Sequence, residues 1–500
     1  MREIIYIQAG RLANYTGTHF WNTQESYIPY GEDDPESVDV DSKISFSESC
    51  DAQERTTLYP RALIFDAKAN FGALSSDIIA EDDVEVSTIW SENLVEYRQE
   101  AISKSAYHTF LDEGGEDQEP SEEKVPRVKS GAPEKPAPPS FDTKVGNALI
   151  PEDRDSVVSW QEGQQAFRDY DKENDVMDGA LRLLVEDCDN MGAFQILSDT
   201  SIFGAFTAAF LEVFRDEYAK PLSFSFPFLI EPTTASNEFQ STKAFLTEAF
   251  TLRALKEHSS MNVPLHDPTA WCESLGYPSD SIYHRSALLS SLVETSTLPF
   301  RLTRCSQDIV SIWATLNSGN NAKFAELSGV FPYTGPSDFD TRVWNVSSSS
   351  TQKFKNVTEY AHVNVSRGFS TADTTAYEQW ISRPRPTQNA FYIASVHAPA
   401  YPTPSSFPVP PGTSTRPPST THAAPTPTMM LYSSLAASSN TASTFEKYAV
   451  FLDKLLRQPS AAAVSVMEGI TRDDLKELAS DLWTMRDGCA DDSFEDEFVS

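Results

Sequence analysis

Residues 4–7 form a short unbroken apolar run closed by Ala9 and Gly10, the pattern of a strand buried on both faces that ends in a turn. A helix is expected to follow. From Leu12 onward, Tyr15, His19 and Phe20 fall on one helical face, with Trp21 adding bulk at its edge. Residues 62–65 are a second bounded apolar run, ending in Asp66, where a side chain would point into a crevice above a parallel sheet. A third unit reads as a helix around 178–185, a strand over 194–197 and a helix from about Phe203. In that last helix Phe206, Phe210, Phe214 and Tyr218 recur every four residues beside Leu211, a stripe facing a core. Residues 222–230 begin with strand-like alternation, and Pro227 points to a sheet edge or a strand end. Strand, turn and helix repeated in this way predict an α/β layered sheet.

Toward the C-terminus, Ser443 with Glu446 makes a capping-box pattern ahead of Phe445, Tyr448, Phe451, Leu452 and Leu455. Thr471 caps a further helix with Leu475, Leu478 and Leu482 on one side. These elements divide the chain into residues 1–112, an acidic and Pro-rich insertion at 113–140, a continuation of the first domain at 141–235, and an intermediate α+β domain at 236–385. A Pro/Ser/Thr-rich loop at 386–440, C-terminal helices at 441–490 and an acidic tail at 491–500 complete it. The insertion and the tail carry the acidic runs 112–123 and 491–497, of the kind that stays solvated.

Charge narrows the function classes. With 73 acidic against 39 basic residues and a net charge of -34, the mean field of the chain repels nucleic acid and anionic lipid. Five scattered cysteines, without a CxxC pair or a histidine at ligand spacing, point to free thiols in a reducing compartment and to no metal site. Cys188 reads as a small buried hydrophobe. No apolar run approaches the ~20 residues of a spanning helix, and residues 202–214, interrupted by Glu212, read as a buried helix. The opening MREIIYIQAG has neither a secretory nor a mitochondrial leader pattern.

No GxxxxGK[ST], GxGxxG, HExxH or GxSxG signature is present, so no catalytic residue is nominated. Three other segments are specific. MREIIYIQAGRLANYTGTHFW, with Met1 to Ile4, Ile7 to Gly10, Asn14, Gly17, Phe20 and Trp21, resembles the opening of tubulins. TLYPRALIFDAKANFG, with Pro60, Arg61, Ala62 and Asp66, resembles their PRA strand. VEDCDNMGAFQIL, with Cys188, Asp189, Phe194 and Gln195, resembles the approach to their phosphate loop. All three occur in tubulin order. The departures narrow the resemblance: the glycine-rich loop of tubulins is matched here by SDTSIFGAFTA, Arg11 and Leu12 stand where tubulins place Gln and Cys, and Lys68 stands where they place an acid suited to hydrated magnesium.

With Arg215 to Tyr218 (RDEY), Trp160 in SVVSWQEGQQAF, and APAYPTPSSFP, the chain is identified as a member of the Misato family, in its fungal branch. The resemblance implies a tubulin/FtsZ-like parallel sheet flanked by helices. It also implies a non-enzymatic role in partitioning mitochondria and mitochondrial DNA. No cofactor is expected, with residual GTP binding left open, and Gly10, Arg11, Leu12, Asp66 and Gly204 are vestigial pocket positions. Gly10 serves equally as a tight-turn residue, and Arg11 either reaches a phosphate or pairs with Asp66. Implied partners are proteins, including cytosolic chaperonin and tubulin or other cytoskeletal components, with peripheral placement on the cytosolic face of the mitochondrial outer membrane and in the cytoplasm. The alternatives are an active polymerising GTPase and a chaperonin-linked tubulin assembly factor.

Overall fold

The computed structural model describes residues 2–28, 40–50, 56–67, 70, 144–146, 158–229, 238–305, 307–317, 323–348, 357–383, 392–408, 427–457 and 469–489. All of these belong to one compact unit built from residues 1–71 and 135–500. Lys68, the acidic runs, the 113–140 insertion and the 491–500 tail lie outside the described residues.

The apolar runs at the start of the chain become the centre of a parallel sheet. Its strands include β1 (Glu3–Ala9), which is followed in the chain by a separate hairpin of β2 (Phe46–Cys50) and β3 (Thr56–Pro60). Then come β4 (Ala62–Phe65), β5 (Lys144–Gly146), β6 (Met191–Asp199), β7 (Leu222–Leu229), β8 (Met261–Asn262) and β9 (Leu265–His266). The sheet order is β5-β4-β1-β6-β7-β8, with β9 also beside β7, and every pairing is parallel. Alternation explains the unbroken apolar run of β1: Ile4 and Tyr6 enter one core while Ile5, Ile7 and Ala9 enter another.

The longer helices cover both faces: α1 (Arg11–Glu25), α2 (Trp160–Asn174), α3 (Thr200–Glu217), α4 (Glu238–His258) and α5 (Ile282–Thr297). Phe20 and Trp21 of α1 pack with Tyr6 in the first core, and the Trp21 ring lies 4.9 Å from Tyr6 and 5.5 Å from Phe46. On the other face, Phe206, Phe210 and Phe214 of α3 meet Phe65, Phe167 and Phe194, as their spacing predicts. Helix α3 is squeezed between α2 and α4 by two glycines. A Cβ on Gly163 would stand 2.7 Å from the Ala205 Cβ, and one on Gly204 would fall on the Thr251 hydroxyl. Gly204→Ala is therefore expected to cost about 1–3 kcal/mol by overpacking. Thr251→Ala in the same chain should recover part of that loss, which urea unfolding of the two single variants and the double variant would measure.

Pro227 does not mark an edge. Strand β7 is interior, and its outer partner is broken into β8, opposite Phe224 and Ser225, and β9, opposite Phe228 and Leu229. The carbonyls of Ser223 and Ser225 accept from the N–H groups of Ser260 and Val263, so Pro227, of the same parity, faces the break. Its missing N–H falls where no ladder bond is needed.

A second, mixed sheet has the order β11-β10-β16-β12-β13. Its strands are β10 (Glu326–Val330), β11 (Trp344–Asn345), β12 (Glu359–Arg367), β13 (Tyr392–Ala398) and, after the small pair β14 (Tyr401–Pro402) and β15 (Thr428–Met429), β16 (Leu431–Ser438). This corrects the loop expected at 386–440. The edge strand β13 and the central, wholly buried β16 lie inside that stretch, where the surrounding Pro, Ser and Thr mask both strands; the small residues of β16 suit a tight interior.

The C-terminal helices are α6 (Thr441–Arg457) and α7 (Arg472–Cys489). Thr471 caps α7 reciprocally with Asp474, the Thr471 N–H donating at 2.8 Å and the Asp474 N–H at 3.2 Å. Ser443 does not cap α6, because the helix begins two residues earlier and the Ser443 hydroxyl donates back to the Asn440 carbonyl at 2.7 Å.

Between α1 and the second sheet lies a cluster of fully buried charge. Glu294 of α5 accepts from Arg301 at 3.2 Å, from Arg367 at the end of β12 at 2.9 Å, and from the Tyr27 hydroxyl at 2.9 Å. Arg367 also donates to the Pro399 carbonyl and to Tyr27, and the Arg301 guanidinium sits 4.9 Å from the centre of the Phe20 ring. One carboxylate thus ties α1, α5 and both layers together.

Candidate functional site

The C-terminal ends of β1, β4 and β6 and the starts of α1 and α3 converge on one crevice, the place where open α/β sheets hold ligands. Gly10 closes β1 with φ +106°, and its N–H donates to the Phe65 carbonyl at 3.0 Å. That backbone favours glycine, and the space does too, since a Cβ there would stand 2.6 Å from the Asp199 Cβ. The room left by Gly10 is filled by the Asp199 carboxylate, which accepts the N–H of Leu12 at 2.8 Å and of Ala13 at 2.9 Å. These are two of the four donors that a helix start leaves without partners. Burial pushes Asp199 up to about 7, against the pull of those two N–H bonds.

Asp66 is held differently. Its carboxylate accepts from Asn70 Nδ2 at 2.7 Å, Ala67 N–H at 2.8 Å and Asn14 Nδ2 at 2.9 Å, and burial raises its pKa against these bonds. Arg11 is exposed and makes no ion pair with Asp66, contrary to the pairing considered above; its charge acts on Asp66 and Asp199 only through space. On the other side, β6 ends at Asp199 and α3 begins at Thr200, with no residue between them. The Thr200 hydroxyl lies 2.7 Å from the Phe228 carbonyl and 2.8 Å from Glu248 Oε1, while Tyr448 of α6 donates to Glu248 Oε2 at 2.8 Å. Gly204 is within α3 and turned toward α4.

The three specific segments of the sequence meet at the opposite end of the strands. Arg61 donates to the Asp187 carbonyl at 3.1 Å and to its carboxylate at 2.5 Å. Glu3 and Asn190 exchange two bonds, the Glu3 N–H to the Asn190 carbonyl and the Asn190 N–H to the Glu3 carboxylate. Cys188 donates its thiol to the Leu184 carbonyl, and burial pushes it up to about 11, so it is an unreactive thiol at neutral pH. These residues clasp β1, β4 and β6 and build no site.

Comparison with known proteins agrees with this architecture. A family profile described as the Misato Segment II tubulin-like domain matches residues 2–113, and one described as a Tubulin domain matches 147–302. The chain thus carries a Misato-type tubulin-like segment followed by a tubulin-like domain. Among its curated relatives, Protein DML1 of Gibberella zeae is 29% identical over 69% of this chain and 70% of its own length. Protein dml1 of Aspergillus clavatus is 32% identical over 60% of this chain and 61% of its own, and Protein dml-1 of Neurospora crassa is 30% identical over 60% and 57%. The chain thus spans less than two thirds of the length of most of these relatives.

Of the pocket positions nominated from the sequence, the fold brings Gly10, Leu12 and Asp66 to the crevice, leaves Arg11 at its rim and places Gly204 in a helix crossing. Asp199, Asn70 and Glu248 were missed. Asp199 had a signal, an acid at the last position of a buried parallel strand; Glu248, in the middle of a long helix, had none.

Proposed function

We propose that this Misato-family chain is a non-enzymatic tubulin-like factor that helps to partition mitochondria and mitochondrial DNA. It would act through protein surfaces on the cytosolic face of the outer membrane and in the cytoplasm. The observation that carries the non-enzymatic half is the junction of β6 with α3: the chain passes from strand to helix between Asp199 and Thr200. A glycine loop that wraps backbone N–H groups around phosphates needs residues at that junction. The mitochondrial half rests on the family resemblance, because a fold alone does not assign a function. No helix among the described residues is long and apolar enough to cross a membrane. The proposed partners are cytosolic chaperonin and tubulin or other cytoskeletal proteins, and attachment to the organelle is peripheral.

Two measurements test the two halves. Depletion is expected to give clumped or unevenly inherited mitochondria, and normal morphology with even segregation would overturn the mitochondrial role. Titration of the purified full chain with GTP and magnesium is expected to show neither tight binding nor turnover; measurable hydrolysis would overturn the non-enzymatic role.

A further inference from the structure

We infer that the outer edge of β13 is a docking strand, which takes an extended, lysine- or arginine-bearing segment of a partner protein as a further strand of the mixed sheet. Strand β13 ends that sheet, and among the described residues nothing pairs with its outer side. The Gly368 N–H donates to the Ala398 carbonyl at 2.9 Å, so residues of that parity face β12. Ile393, Ser395 and His397 therefore turn their N–H and C=O groups outward, and all three are exposed. Such a row of backbone groups is a template for another chain.

Three features set this edge apart. The other outer strands of the two large sheets are short, with two residues in β8, β9 and β11 and three in β5, whereas β13 has seven. Charges and prolines are the other usual guards of an open edge. Here they are missing: residues 386–415 contain no Asp, Glu, Lys or Arg, and no proline falls within Tyr392–Ala398. Beside the outward backbone, Ile393 is 45% exposed and offers an apolar contact. Charge selects the occupant. A second copy of this chain would bring another net charge of -34 to the edge, whereas a basic segment is drawn to it. The flank has the same preference. The helix Thr371–Ile381, whose Tyr377 hydroxyl lies 2.8 Å from the Ser395 hydroxyl, carries Asp373 and the exposed Glu378 and no basic residue. Arg383, just beyond that helix, is held by Asp340 at 2.9 Å. Edge pairing is independent of the mitochondrial role, since one is read on purified protein and the other in cells.

The test is fluorescence polarisation of the purified full chain with a short labelled peptide that alternates valine with lysine. Binding is expected. It should weaken about 10-fold or more when the peptide nitrogens are methylated, and by a similar factor when glutamate replaces lysine. Ile393→Pro removes one outward N–H and the apolar contact but no bond to β12, so it should abolish binding without lowering the urea midpoint. Ile393→Lys keeps the backbone and sets a cation against the cationic probe; it should weaken binding likewise, and it decides the matter if the proline variant does not fold. Failure of the unaltered chain to bind, equal binding of the methylated peptide, or full binding by either folded variant would overturn the inference. So would a dimer in sedimentation that Ile393→Pro or Ile393→Lys converts to a monomer, because a second copy would then hold the edge.

Discussion

Glu294→Ala is expected to destabilise the protein by about 3–5 kcal/mol, the usual cost of removing one partner from a buried charge cluster. The reason lies in what remains. Arg301 and Arg367 are themselves fully buried, and without Glu294 two guanidinium groups would stay in the interior with no carboxylate between them. Arg367 would keep its bond to the Pro399 carbonyl, and Arg301 its bond to the Thr297 hydroxyl, but neither of these carries a negative charge. Tyr27 would also lose the acceptor for its hydroxyl. Glu294→Gln should fall between the two chains, because the amide keeps the shape and an acceptor oxygen but not the charge. Replacing all three charged residues by apolar ones of similar volume should cost less than Glu294→Ala, since the penalty belongs to the unpaired charges. Urea midpoints of these variants would test the ordering. A Glu294→Ala chain within 1 kcal/mol of the parent, on the order of an exposed pair, would show that the cluster is hydrated in solution.

Phe206→Ala is expected to cost a comparable amount, about 3–5 kcal/mol, by leaving a cavity in a packed interior. The Phe206 ring lies 5.2 Å from Phe65, 5.2 Å from Phe167 and 5.6 Å from Phe203, with the Phe167 and Phe203 contacts edge to face. It therefore joins β4, α2 and α3 at one point, and these elements are too rigid to collapse into the vacancy. Ile202→Ala on the same helix is the internal comparison: Ile202 is only partly buried, and its loss should be clearly smaller. Thermal or urea unfolding of both variants would decide the matter, and equal losses would contradict the packing described.

What the sequence made legible follows from range. The strand β1, the helix α1, the strand ending at Asp66 and the phenylalanine stripe of α3 are signalled by residues within one element, and the structure bears out each of them. The three tubulin-like segments likewise led to the right fold. What escaped notice depends on partners far along the chain. Pro227 is tolerated because β8 and β9 break opposite it, and β16 is flanked by strands on both sides and buried although most of its residues are only Ala and Ser. Asp199 bonds to residues 187 and 186 positions away, so the decisive contact of the crevice leaves no local pattern. Arg11 next to a glycine turn suggests an ion pair with Asp66, but amides of Asn14 and Asn70 satisfy that carboxylate first.

The clasp at the base of the sheet also bears on how the protein is made. Glu3 bonds to Asn190 across 187 residues, and β1 borders β6 along its whole length. At a synthesis rate of about 5–20 residues per second, β1 waits roughly 10–40 s for that neighbour. Throughout that interval Ile4, Ile5, Tyr6 and Ile7 have one prospective edge without a partner. A nascent chain of this layout has a built-in period of stickiness, and shielding during translation matters more to it than to a protein whose central strands are neighbours in sequence.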